Sequence, residues 1–254
     1  MSIIYINPYQ FAAVAGPTDP DFANVSLLLH GDGTNGSTTI VDSSSNANSV
    51  IANNGAQIST TILDPFDESS GSIEFLSSAN TGLSVSPSTD FQFGTGNWTV
   101  EAWIYQRSQV LYSTLLEIGD HSDANSLFIS VGGTSGGFLV YSSGFFGPQT
   151  DVFTLNTWQH VAVTRAEDFL YFFLNGTIVG NSGGYALNRN LTDISTVSVA
   201  YPYGLAPTAN NNSYRFNGYI DDLRITKGVA RYTQNFTPPT APFPDLSPTT
   251  RLTA

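Results

Sequence analysis

The chain has 254 residues, no cysteine and a formal net charge of −12, with 11% charged residues against 41% hydrophobic ones. The missing cysteines exclude disulfides and thiolate metal sites. Lys and Arg total 8 and are scattered, which argues against nucleic-acid binding, where clustered cations must meet phosphates. No run is apolar and long enough to span a bilayer.

Met1 to Phe11 lacks the basic and long apolar blocks of a signal peptide. With so little charge, solubility rests on Ser, Thr, Asn and Gly, which suits an assembly or an extracellular surface. Ile3, Ile4, Tyr5, Ile6, Tyr9 and Phe11 make the first segment apolar before it breaks at Gly16-Pro17 and Pro20. It is either an edge strand or an arm that docks on a partner, and the linker-like break favours the arm.

From Val25 onward the pattern is β throughout. Val25 to His30 is a buried-strand candidate ending in the turn Gly31-Asp32-Gly33, and residues 34–57 are loop-rich around Thr39–Val41 and Ser49–Ile51. Ser72–Leu76 and Thr81–Val85 are short strands. Asn97 to Tyr105 alternates most clearly: Trp98, Val100, Ala102 and Ile104 form one face, and Thr99, Glu101, Trp103 and Tyr105 the other. Leu115–Ile118, Ser126–Val131 and Phe138–Tyr141 continue as a meander, followed by Trp158–Arg165. Phe169–Leu174 turns at Asn175-Gly176 into Thr177–Val179, a strong hairpin signal because both turn positions tolerate positive φ. Val197–Ala200 and Tyr219–Ile225 complete the set. No long window has helical periodicity with caps. The expected fold is an all-β antiparallel sandwich of the jelly-roll type. The division is an arm at 1–22, one domain at 23–238 and a proline-rich tail at 239–254.

No catalytic residue is assigned. Glycoside hydrolysis needs two carboxylates held several ångströms apart, and Glu101 has no such partner on its strand. Gly133-Thr-Ser-Gly-Gly137 matches a nucleophile elbow formally, but a strand follows where a helix is required. His30, His121 and His160 lack zinc spacing. Phe145, Phe146, Tyr185, Tyr201 and Tyr203 lie in Asn-rich and Gly-rich loops and are candidates for stacking on sugar rings. The competing reading packs them over the sandwich ends or into a subunit interface.

Phe216-Asn-Gly-Tyr-Ile-Asp-Asp-Leu-Arg-Ile-Thr226, with its proline-rich exit, resembles the closing block of laminin-G-like (concanavalin-A-like) domains, in the form found in bacteriophage structural proteins. Leu27-Leu-Leu-His-Gly-Asp-Gly33, Trp98-Thr-Val-Glu-Ala-Trp103 and Trp158-Gln-His-Val-Ala162 are similar to further blocks in the same order. The resemblance implies a non-enzymatic virion structural protein (capsid decoration, fibre or tail) on the particle surface, with capsid or tail proteins and copies of itself as partners. The alternatives are an adhesion module for a host-surface glycan and, behind it, a glycoside hydrolase; nucleic acid and membrane are not expected partners. It also implies calcium as the candidate ion, with Asp32, Asp221 and Asp222 as its ligands.

Overall fold

In the computed structural model, described for residues 18–66, 70–77, 81–121, 123–133, 137–150, 152–202 and 214–246, most strands lie where hydrophobic alternation predicts them, with short additional ones at Gln57–Ser59, Phe145–Phe146 and Tyr185–Ala186. They are β1 (Val25–Leu29), β2 (Val50–Asn53), β3 (Gln57–Ser59), β4 (Ser72–Phe75), β5 (Gly82–Val85), β6 (Trp98–Gln106), β7 (Thr114–Ile118) and β8 (Leu127–Val131). There follow β9 (Phe138–Tyr141), β10 (Phe145–Phe146), β11 (Trp158–Ala166), β12 (Phe169–Leu174), β13 (Thr177–Ile178), β14 (Tyr185–Ala186), β15 (Val197–Val199) and β16 (Gly218–Lys227). A nine-stranded sheet runs β13-β12-β11-β6-β16-β4-β3, with β1 beside β16 and β14 beside β12. A seven-stranded sheet runs β10-β9-β8-β7-β15-β5-β2. All these pairings are antiparallel.

The two sheets enclose one core. Trp98, Val100, Ala102 and Ile104 of β6 point into it, as their alternation requires, and meet Leu116, Ile118, Leu127, Ile129 and Val140 of the other sheet. At Asn175-Gly176 both residues have positive φ, 47° and 73°, which matches the twist of the tight hairpin between β12 and β13. Within residues 34–57 the expected Ser49–Ile51 segment is β2, which extends to Asn53. Thr39–Val41 forms no strand, although Ile40 is buried in the core.

The described parts of the expected arm and tail belong to the sandwich. Phe22 and Phe243 pack with Val25 and Leu28 in a second, smaller core on the outer side of the nine-stranded sheet. The backbone N–H of Asp19 donates to the carbonyl of Leu246 at 3.0 Å, so the two terminal segments meet there. The remainder of 1–22 and of the tail, including Ile3, Ile4, Tyr5, Ile6, Tyr9 and Phe11, lies outside the described residues.

Candidate functional site

The outer face of the seven-stranded sheet carries an aromatic pocket. Along β8, Leu127, Ile129 and Val131 enter the core, so Phe128 and Ser130 face outward. Along β9, Phe138 and Val140 enter the core, leaving Tyr141 outside. Register then aligns a single row across the sheet: Phe145 opposite Tyr141, Tyr141 opposite Phe128, Phe128 opposite Glu117, and Glu117 opposite Ser198. Tyr112, just before β7, and Tyr214, just before β16, close over the aromatic end of this row. With His121 they line a cavity of about 230 Å³.

Ring orientations give the pocket its shape. Tyr112 is nearly parallel to Phe145 (14°) and to Tyr214 (29°), so these three form one wall. Tyr141 is tilted 59° from Phe145, and Phe128 is 72° from Tyr214, so they supply a second direction. Phe145 is 50% exposed at the rim. At one end His121 Nδ1 lies 3.0 Å from Glu117 Oε1, and its ring touches Phe128 and Tyr141. The hydrogen bond to Glu117 raises the His121 pKa above the usual histidine value against the opposing effect of burial. Ser198 Oγ lies 3.5 Å from Glu117 Oε2 and gives its proton to the Tyr201 carbonyl at 2.7 Å.

The opposite face of the sandwich is built differently. Glu101, opposite Arg224 across β6 and β16, accepts two hydrogen bonds from its guanidinium at 3.0 and 2.8 Å and one from the Tyr232 hydroxyl at 2.9 Å. Arg224 also donates to Asp19, which Arg231 binds in turn, and the Arg224 guanidinium lies 3.7 Å from the centre of the Phe243 ring. Burial alone would raise the Glu101 pKa. The charge of Arg224, helped by His160 and Arg231, outweighs burial and holds it at about 2. His160 Nε2 is 3.3 Å from Glu101 Oε2, without the direction of a hydrogen bond.

The model of the concanavalin A-like lectin/glucanases superfamily matches residues 77–231. The chain belongs to this superfamily. No curated protein is similar enough in sequence to count as a relative. Among solved structures, domain 4 of an extracellular arabinanase from Geobacillus stearothermophilus, in complex with arabinotriose, is 15% identical, with a TM-score of 0.58 over 82% of this chain and 94% of that one. A Trypanosoma rangeli sialidase mutant is 14% identical, with a TM-score of 0.52 over 86% of this chain and 32% of the sialidase. At such identities the likeness is one of fold.

Within this superfamily fold the sugar-stacking candidates separate. Phe145 lies at the pocket rim. Phe146 turns to the other side of β10, packs on the core and sits under the Arg189 guanidinium at 5.7 Å. Tyr185 lies on the nine-stranded sheet against Phe172, its hydroxyl accepting from the Asn181 N–H. The Tyr201 carbonyl accepts from Ser198 Oγ at the end of the row away from Phe145. Tyr203 lies outside the described residues. Tyr112, His121, Phe128, Tyr141 and Tyr214 were missed. The phase of Phe128 and Tyr141 against their apolar neighbours was a readable signal for two of them. Tyr214 arrives from a distant part of the chain and gave none.

The calcium candidates do not fit that ion. The Asp221 carboxylate accepts the N–H groups of Gly31 and Asp222 at 2.7 and 2.8 Å. Asp222 pairs with His30 Nδ1 and accepts the Phe243 N–H at 2.7 Å. Asp32 is exposed. Among the described residues no three His, Asp or Glu side chains are arranged to hold a metal. Burial, followed by the charge of Asp222, pushes the Asp221 pKa up to about 8. Gly137 of the formal nucleophile elbow leads directly into β9, and no helix follows it.

Proposed function

We propose that this chain is a non-enzymatic carbohydrate-binding module whose sugar contacts lie in the Tyr112–Phe145–Tyr214 pocket. The observation that carries this reading is the pocket itself: open rings around a concave site on one outer sheet face. Aromatic faces match the C–H faces of sugar rings, and hydroxyl and imidazole groups at the pocket edge supply polar contacts. The likeness to a domain solved with arabinotriose is one of fold, so the weight stays on the pocket. The absence of catalysis is supported by Glu101 and Glu117, each engaged by a cationic or histidine partner inside the protein. A glycan array probed with the wild type and with Phe145→Ala tests the reading. Binding that Phe145→Ala abolishes supports it; no binding by either protein, or release of reducing ends from a bound glycan, contradicts it.

A second reading sets this module on a virus particle. It is supported by the phage-like closing block and by the meeting of both terminal segments on the face opposite the pocket. An anchor at either end would then leave the pocket facing outward. Deletion of residues 1–17 in a particle-assembly assay is expected to release a folded sandwich from the particle. Retention on the particle would contradict an N-terminal anchor.

A further inference from the structure

Among the described residues the pocket is walled by rings, and its polar groups are the tyrosine hydroxyls and one imidazole at its edge. Its described lining residues are Tyr112, His121, Phe128, Tyr141, Phe145 and Tyr214, with no amide, lysine or arginine side chain among them. A neutral sugar brings several hydroxyls, each of which loses water on entry and needs a partner. A methylated ammonium group needs none. Its charge is spread over its methyl groups, and it is attracted to the negative faces of aromatic rings.

Charge points the same way. Glu117 is fully buried beside Phe128 on the same row, Asp120 stands exposed next to His121, and the chain carries a net charge of −12. Of the arginines at this end of the sandwich, Arg189 lies over Phe146 on the far side of β10 and donates to the Ser142 carbonyl, and Arg215, which follows Tyr214, is buried. The ring wall of Phe145, Tyr112 and Tyr214, with Tyr141 and Phe128 inclined to it, surrounds a small group from two directions.

We infer that the pocket is a cage for a methylated ammonium group, borne as a choline-type substituent on the bound glycan. This rests on the carbohydrate-binding reading and names the part of the ligand that the pocket holds. His121 sets its pH response. It faces Glu117 of β7, Asp120 of the following turn, and the rings of Phe128 and Tyr141. A protonated imidazole neutralises Glu117 and repels an incoming cation, so cation binding strengthens as pH rises and His121 loses its proton.

The test titrates the full chain with choline and with 3,3-dimethylbutan-1-ol, in which carbon replaces the charged nitrogen. Calorimetry is expected to show choline binding roughly tenfold tighter. Choline affinity should increase with pH through the His121 titration, and Phe145→Ala and Tyr112→Leu should each weaken it with the fold intact by circular dichroism. Equal binding of the two probes, or choline binding untouched by both substitutions, overturns the inference. If neutral glycans bind in a Phe145-dependent way and choline does not, the cage is wrong and the carbohydrate-binding reading survives. If neither choline nor any arrayed glycan binds, both fall.

Discussion

The two outer faces of this sandwich are both aromatic, yet they do opposite things with their rings. On the nine-stranded sheet, Tyr219 lies under the Arg107 guanidinium, the Trp158 indole donates to the Leu63 carbonyl, and Tyr232 stacks on Phe236 at 3.6 Å. Terminal segments cover much of that face and tie its charges into a closed network. On the seven-stranded sheet the rings contact one another around a cavity, and Phe145 remains half exposed. Aromatic content alone therefore does not locate a binding face. What covers the rings decides whether they are structure or site.

The largest expected effect lies on the covered face. Arg224→Ala leaves the buried Glu101 and Asp19 with Arg231 as their remaining arginine and should destabilise the fold by about 3–5 kcal/mol. Chemical denaturation measures this, and a loss below about 1 kcal/mol would mean that the network is replaceable. Phe243→Ala removes the aromatic plug of the smaller core and should cost about 3 kcal/mol. Its effect should be partly shared with that of Arg224→Ala, because the two side chains touch.

The covered face also carries two carboxylates of opposite sign. The folded pKa of Glu101 is lowered, so its contribution is present above the unfolded value of about 4.3 and is lost as pH falls towards about 2. The folded pKa of Asp221 is raised, so its contribution is present below the unfolded value of about 3.9 and is lost as pH rises towards about 8. Asp221→Asn keeps an acceptor for the Gly31 and Asp222 N–H groups and cannot ionise. It should flatten the fall in stability between pH 5 and 8. Thermal melts across that range check this, and an unchanged slope would remove Asp221 from the account.

The smallest effect on stability belongs to the open face. Phe145→Ala at the half-exposed rim should change stability by less than about 1 kcal/mol while abolishing ligand binding. Equal losses of stability and binding would make the pocket part of the core.

Much of the fold was legible because alternation is a local property. β6 shows both its core face and its outer face within nine residues, and Asn175-Gly176 specifies its own turn. The covering of the nine-stranded sheet was not legible. Asp19 and Arg224 lie far apart in sequence, and nothing near Pro242-Phe243 says that Phe243 will settle on a guanidinium. The pocket stands between these cases. The outward phase of Phe128 and Tyr141 could be read, but their adjacency depends on the register of β8 against β9. Tyr112 and Tyr214 join only when β7 and β16 are in place.

The most direct test is a glycan array probed in parallel with the wild type, the Phe145→Ala, Tyr112→Leu double variant, and Trp158→Ala on the opposite face. The account predicts that the double variant loses its ligand while keeping nearly the wild-type melting temperature, and that Trp158→Ala binds normally. Binding that survives the double variant and is lost in Trp158→Ala would place the site on the other sheet and contradict it.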